Sequence, residues 1–490
     1  MKNIKRIILS VIFIGFGLAS CSDEFLERAP FSSVGVGEAI TNETTLNTQV
    51  LGLYSVMQDT DDNTNGDNTG FGGYYNSVQA LITDDGYVSL QNSNRFVGVY
   101  DYTAFLPDIT TITSLIWNDL YEVVNSANFI ISFDNGSIAD ETGVSGTPNQ
   151  KFAEARVARA YSFFMLVNFY SRPAQSGIDQ NLGVPLPLEW NQGQTLPRST
   201  VQEVYNQIID DLTTAITLFD DQDNPGVVYR LGSTAAELLL SRVHLNLGNY
   251  QDVVTYSDRV LNNDGGYTLM PMNEVVSFYE VANENSPENI FSLEFNPSDT
   301  GGSNDAFAAT WGFGGTYEQN FATRGFYDLI PSTDVRKGLY NDNIPVADYP
   351  DALLGVDVRK FTALDRDIPQ FRMSEAILNK IEALYFTNEA QARTELNSWV
   401  STYRNSSYNT AASGSALLDE IKKERRIEFA FEAQRWFDMN RWEETIVRDA
   451  NCRQNCDPIP FANFRRVFPI PQSEIDANTE ISDEDQNSGY

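Results

Sequence analysis

The chain has 490 residues, of which 42% are hydrophobic and 12% aromatic, and its formal net charge is −34. This length and apolar share suffice for a large core or a long helical array. An acidic surface repels phosphate backbones, so it argues against nucleic acid and polyanionic ligands and favours neutral ones. With one histidine and no glycine-rich phosphate loop, the chain lacks support for histidine-based hydrolysis or a nucleotide cofactor.

The first twenty residues have the order of a secretory signal. Lys2, Lys5 and Arg6 precede an apolar run over 7–18, which small residues close before Cys21. That run is too short for a membrane-spanning helix, which needs about twenty residues. We expect a signal peptide over 1–20, lipidation of Cys21 as in bacterial lipoproteins, and a polar tether over 21–40. An ordinary signal peptide with an incidental cysteine is the alternative.

Apolar residues at three- and four-residue steps predict a series of helices. The two around Gly248-Asn249-Tyr250 resemble a tetratricopeptide unit, in which small contact residues flank a glycine turn. His244 falls inside the first of them, and we interpret it as a scaffold residue. The predicted helices begin near Thr44 and continue over 112–134, 149–170, 199–219, 233–247 and 250–262.

A different composition follows over 265–365, which is rich in Gly, Asn, Asp and aromatic residues. One short extended segment is predicted at 287–293, and helices return over 372–387, 389–402 and 415–442. The chain therefore reads as a single mainly α-helical domain over 41–490, with scaffold at 41–262 and 372–442 and ligand-binding loops at 265–365. Loops presented by a rigid scaffold are where binding residues concentrate.

The predicted helix over 415–442 carries charge on its apolar face. Arg425, Glu428, Glu432 and Arg435 interleave with large apolar residues when plotted at 100° per residue. An unpaired buried charge is costly, so we expect these ions to be buried and paired. Neighbouring arginines would keep both glutamates ionised, which suits a structural ion network better than a general acid.

At this segment the sequence closely resembles the RagB/SusD family. The similarity runs in order from Cys21 to Tyr490, with one departure at Ser171-Arg172-Pro173, where many members have a Gly-Asp type of turn. The matching motifs are Arg425-x2-Glu428-Phe429-x2-Glu432-x2-Arg435-Trp436, Phe468-Pro469-Ile470-Pro471, Trp117-x3-Tyr121-x6-Asn128, Arg156-x2-Arg159-Ala160-Tyr161, Gly183-Val184-Pro185 and Cys21-Ser22-Asp23-Glu24.

This resemblance implies a function as well as a fold. Members are outer-membrane lipoproteins of Bacteroidetes-type bacteria, exposed at the cell surface, with tetratricopeptide-like helical repeats. They pack on a SusC-like, TonB-dependent β-barrel and hand it a captured glycan, or sometimes a peptide, without cleaving it. The expected partners are that barrel, a neutral oligosaccharide or polysaccharide, and the outer membrane through the lipid anchor.

Similar proteins place sugar-stacking aromatic residues in two loops, and the sequence offers candidates in both. Trp311 and Tyr317 lie in a glycine-rich loop, where glycine allows an exposed ring. The other loop precedes the Trp117 helix. Its candidates are Tyr87 and Phe96 for stacking, with Arg95 and Asp84 for sugar hydroxyls. The alternative is that any one ring fills a small core beneath a long loop.

Two smaller features remain open. Asp61, Asn63 and Asn65 match the first half of a calcium loop, but its twelfth position is Gly72 instead of the required Glu. A turn-rich insert explains the same residues, and no other cofactor is expected. Cys452 and Cys456 are spaced for a disulfide, which an exported protein can keep, or they are two free thiols.

Two other functions compete with glycan capture. A glycoside hydrolase needs only a pair of carboxylates, so the lack of further histidines does not exclude it. Peptide capture is the second alternative, since some relatives perform it.

Overall fold

The structure is a computed structural model. It describes residues 39–490 except for 59–69, 72, 90–94, 108–111, 192, 221–226, 264, 281–285, 299, 301–305, 312–316, 318–319, 344–354, 449–451 and 453. The expected signal peptide, the lipid site Cys21 and the calcium candidates Asp61, Asn63 and Asn65 lie outside the described residues.

Helices dominate the described chain, and six short strands interrupt them, five of these between residues 289 and 372. The α-helices are α1 Glu43–Gln58, α2 Tyr74–Leu81, α3 Val97–Tyr100, α4 Ile112–Ile131, α5 Pro148–Tyr170, α6 Val201–Phe219, α7 Ser233–Leu247, α8 Tyr250–Leu261, α9 Val275–Glu280, α10 Phe307–Thr310, α11 Arg324–Asp328, α12 Met373–Thr387, α13 Glu389–Tyr403, α14 Ser415–Phe429, α15 Arg435–Arg441 and α16 Gln472–Ala477. The strands are β1 Gly86–Val88, β2 Asn289–Leu293, β3 Asn320–Thr323, β4 Tyr340–Asn341, β5 Gly355–Val358 and β6 Ile368–Arg372.

Local signals explain where the two best-capped helices begin. The Thr147 hydroxyl accepts from the Gln150 amide ahead of α5, while the Gln150 side chain accepts from the Thr147 amide. Thr200 and Glu203 form the same capping box ahead of α6. Each box satisfies two amides that have no partner within the helix. The sequence prediction of these helices is confirmed to within two residues.

The central helix is α5, and nearly all its residues are buried. It packs between α4 and α6, while α7 packs on α8 and α8 packs on α12. Between α7 and α8 the chain turns at Gly248, whose φ of +72° favours glycine. The predicted mainly α-helical scaffold is confirmed, and it is consistent with stacked helical pairs.

The loop-rich region contains more strand than the sequence predicts. β2 lies within the extended segment expected at 287–293 and pairs antiparallel with β6. Three further strands, β3, β4 and β5, join β1 in an antiparallel sheet of order β1-β3-β5-β4. They have two to four residues each, so they are too short to show a period of two.

The prediction of one continuous helix over 415–442 is wrong. The structure ends α14 at Phe429 and begins α15 at Arg435. Between them Phe431 and Ala433 have φ values of +66° and +54°, a left-handed backbone that no α-helix can contain. Burial stabilises this break, since Phe431 is 3% exposed and packs edge-on against Trp311 at 5.0 Å.

The expected burial and pairing of the charged residues on this segment is confirmed. Glu428 binds Arg404 at 2.8 Å and Arg372 at 2.6 Å, and Arg372 also binds Glu432 at 2.7 Å. Burial raises the pKa of Glu428, but Arg404 and Arg372 outweigh burial and hold that pKa well below its usual value. The same balance lowers the pKa of Glu432. The partners come from other elements, so these ions bind the scaffold together.

None of the helices in the described part of the chain combines the length and the apolar character that a bilayer crossing requires.

Candidate functional site

The fold brings the two predicted binding loops together. β1 follows Asp84 and pairs with β3, with Tyr87 opposite Phe321. Trp311 forms a bridge to Asn320, at the start of β3. Residues more than 200 positions apart in sequence therefore share one edge of the sheet. The six candidates differ sharply in what their side chains contact.

Trp311 is a core residue, so the expectation of an exposed stacking ring is wrong. It is 2% exposed, its Nε1 donates to Ser77 Oγ at 2.9 Å, and its ring stacks on Phe307 at 5.1 Å. Gly86 makes room for it, because a Cβ there would lie 2.5 Å from the ring edge. A buried ring with its N–H already donated cannot stack on a sugar.

Tyr87 and Phe96 are also buried, which contradicts their assignment to an exposed platform. Tyr87 is fully buried and its ring lies against Phe321 at 5.8 Å. Phe96, 9% exposed, packs on Tyr74 at 5.4 Å. The alternative considered for single rings, that they fill core beneath long loops, describes both.

Asp84 is committed to ion pairs. Its carboxylate lies 2.9 Å from Arg435 and 3.2 Å from Arg426. Burial raises the pKa of Asp84, but the two guanidinium groups outweigh burial and lower it. Asp84 therefore anchors the start of β1 to α14 and α15 rather than offering a carboxylate to hydroxyls. Arg426 and Arg435 therefore hold Asp84 in place beside the predicted binding loops. The alternation of charged and aromatic residues over 425–442 is the sequence signal that could have pointed to these two arginines.

Arg95 and Tyr317 are half-buried members of the predicted set that contact each other. Arg95 Nη2 donates to the Tyr317 hydroxyl at 3.1 Å, and the guanidinium carbon lies 4.3 Å from the ring centroid. Both side chains are half-buried. The Arg95 guanidinium holds the plane of the Tyr317 ring, and part of each side chain stays accessible. A sugar needs such an accessible aromatic face with a polar group beside it. We define the Arg95–Tyr317 pair as the candidate site.

His244, the only histidine of the chain, is buried within a helix. His244 is 8% exposed in α7, stacks on Tyr256 at 5.5 Å, and has its pKa lowered by burial, against the effect of Asp252. Its interpretation as a scaffold residue is confirmed. Among the described residues, no group of three or more His, Cys, Asp or Glu could hold a metal ion.

Cys452 and Cys456 form a disulfide. This bond closes a short loop near the chain's end, far in sequence from the Arg95–Tyr317 pair.

Family models match nearly the whole chain. A model described as starch-binding and associating with the outer membrane matches residues 24–245. The model of the SusD family matches residues 246–490.

Two similar proteins match this chain over most or nearly all of its length. SusD-like protein P25 of Formosa agariphila is 22% identical over 99% of both chains. A SusD-like protein of Bacteroides ovatus is 23% identical over 90% of this chain and 83% of its own.

Solved structures share the fold. A SusD superfamily protein from Bacteroides thetaiotaomicron is 25% identical, with a TM-score of 0.80 over 91% of this chain and 99% of its own. A laminarin-binding SusD-like protein is 21% identical, with a TM-score of 0.69 over 92% of this chain and 100% of its own.

Proposed function

Because this chain belongs to the SusD family, we propose that it captures glycans at the cell surface and delivers them to a SusC-like TonB-dependent transporter. Its lipidated Cys21 holds it at the outer membrane. Two family models over nearly the whole chain, one described as starch-binding and associating with the outer membrane, support this placement. Several acyl chains on one cysteine anchor firmly, since each buried methylene contributes about 0.8 kcal/mol.

The observation that carries the proposal is the Arg95–Tyr317 pair at the edge of the sheet. An aromatic face held by a cation 4.3 Å away offers a sugar one stacking surface and adjacent hydrogen-bond donors. The chain's formal net charge of −34 favours a neutral glycan over an anionic one. The neighbour that binds laminarin makes a neutral β-glucan the first ligand to test.

We propose that the protein binds its glycan without cleaving it. A glycoside hydrolase needs one carboxyl group that is protonated near neutral pH. The arginines around Glu428 and Glu432 lower the pKa of both groups, so neither supplies that proton. Asp84 is likewise paired with two arginines. Burial raises the pKa values of Asp85 and Glu424, but both carboxyl groups are buried against an arginine.

Affinity electrophoresis of the mature protein tests the site. The gels would contain laminarin, starch, xylan, pectin or alginate. We expect a neutral glycan to retard the wild type and Tyr317→Ala to weaken retardation about tenfold, the loss of roughly 1.4 kcal/mol of stacking and hydrogen bonding. Tyr385→Ala, a half-buried tyrosine on α12, is the matched control and should bind normally.

Two results would contradict this site or this function. Retardation that persists unchanged in both Tyr317→Ala and Arg95→Ala would remove the pair from the binding surface. Release of shorter sugars from the retained glycan, detected by chromatography, would replace capture with hydrolysis.

A further inference from the structure

A cavity of about 380 Å³ lies between α4, the loop that follows Gly183, and the end of α16. It shares no residue with the Arg95–Tyr317 pair. Its volume falls at the lower end of small-molecule pockets, roughly 300–1,000 Å³. The wall residues that matter for its chemistry are Trp117, Asn118, Tyr121, Glu122, Asn125 and Glu474.

The cavity is preformed, because hydrogen bonds hold its loop wall in place. The Tyr121 hydroxyl donates to the Pro185 carbonyl at 2.8 Å, and Asn128 Nδ2 donates to the Pro187 carbonyl at 2.8 Å. At the other end of the loop, Asn478 Nδ2 donates to a backbone carbonyl at 2.9 Å. A ligand therefore binds without ordering these walls, which removes one cost of association.

Trp117 provides the first indication that the cavity holds a ligand. This residue is 2% exposed and lines the cavity, with its ring against Tyr121 at 4.8 Å and Tyr170 at 4.9 Å. Its indole N–H donates no hydrogen bond within the described part of the chain. This N–H is not among the buried side-chain donors that lack a partner in the described residues, so it is open to water from the cavity, where a ligand oxygen could replace that water.

The side chains that line the cavity indicate which class of ligand it binds. Three glutamates, Glu122, Glu189 and Glu474, line the cavity and its walls include neither Lys nor Arg, so anions are disfavoured. Asn118 and Asn125 line it from positions two turns apart on α4, and they offer donors as well as acceptors. An ammonium ligand only donates, so it would offer no acceptor to the Trp117 and amide N–H groups. Sugar hydroxyls both donate and accept, so they satisfy the whole wall.

We propose that this cavity binds a short neutral saccharide, at a site separate from the Arg95–Tyr317 pair. The two sites are lined by different residues, so a result that rules out binding at one site leaves the other unaffected.

Calorimetric titration of the mature protein tests the cavity. The probes are glucose, galactose, mannose and xylose, their common disaccharides, and spermidine as the cationic comparison. We expect a neutral sugar to bind, and Asn118→Ala/Asn125→Ala to weaken it about tenfold or more through the loss of two polar contacts. Both positions are exposed on a helix, where alanine favours folding.

Matched variants separate this site from the rest of the molecule. Gln251→Ala removes an exposed helical amide on α8, away from the cavity wall, and should leave sugar binding unchanged. Tyr317→Ala should also leave it unchanged while weakening retardation by polysaccharide. A sugar-dependent change in tryptophan fluorescence should disappear in Trp117→Phe.

Three results would overturn the proposal. The first is a panel in which no sugar binds. The second is sugar binding that the double asparagine variant leaves intact. The third is binding of spermidine alone, weakened by Glu122→Gln, which would make the ligand a cation.

Discussion

At the residue scale, aromatic side chains in the loop region build core as well as surface. Trp311 and Tyr87 are buried where glycines leave room for them. A Cβ on Gly86 would meet Trp311, and a Cβ on Gly355 would lie 2.3 Å from Tyr87. These glycines allow close approach of rings to backbone, which is a steric requirement rather than one of backbone conformation.

Substitution of Gly86 tests this steric argument. Gly86→Ala places a methyl group 2.5 Å from the Trp311 ring and 3.2 Å from the Ala80 carbonyl. Because Phe307 stacks on this ring and Ser77 accepts from its N–H, we expect overpacking to lower the free energy of unfolding by about 1–3 kcal/mol. Urea denaturation of the variant and the wild type measures this change in the free energy of unfolding.

Gly52→Ala is the matched control. Nothing lies within 4 Å of its added Cβ, and it sits in α1, where alanine should stabilise by up to about 1 kcal/mol. Equal effects of the two substitutions would show that the Trp311 ring is free to move.

At the scale of elements, buried ion pairs connect helices that are distant in sequence. Glu428 on α14 binds Arg404 after α13 and Arg372 at the end of β6. Asp84 before β1 binds Arg435 on α15. Such pairs specify which elements meet, because a misplaced partner would leave a charge buried and unpaired.

Removal of the Glu428 carboxylate tests this role. Glu428→Ala leaves Arg404 and Arg372 without one of their buried partners, so we expect the free energy of unfolding to fall by about 3–5 kcal/mol. Glu420 lies on the same helix and pairs with Lys423 in a half-exposed position. Glu420→Ala should cost less than about 1 kcal/mol. Similar losses in both variants, by urea denaturation, would contradict a special role for the buried network.

At the scale of the whole molecule, acid should unfold the protein by protonating its buried carboxylates. Burial raises the pKa values of Glu428, Glu432 and Asp438, yet their arginine and lysine partners outweigh burial and lower all three. A carboxyl group with a lowered folded pKa contributes stability that is fully present above its unfolded pKa, near 4. That stability is lost as pH falls toward the folded pKa.

We therefore expect the urea midpoint to fall as pH drops below about 4, and to fall less steeply in Glu428→Gln. Burial raises the pKa values of Asp85 and Glu424 despite their arginine partners, so these two groups act in the opposite direction and reduce the slope. A midpoint that rises on acidification would mean that the net charge, rather than the ion network, controls stability.

The sequence by itself determined the helical scaffold and the family. Helices such as α5 and α6 carry their own periodicity and capping boxes, which are local and can be read along the chain. Burial of Glu428 and Glu432 also followed from their own segment, since their neighbours are large and apolar.

Only the tertiary structure decided which aromatic residues reach the surface. Whether Trp311 is exposed depends on Ser77, Gly86 and Phe431, none of which is near it in sequence. The break between α14 and α15 likewise depends on packing around Phe431. Strands β3 to β5 are too short to show a pattern, and the Trp117 cavity forms only where α4, a loop and α16 meet. Burial and pocket shape are set by long-range contacts, which local sequence does not encode.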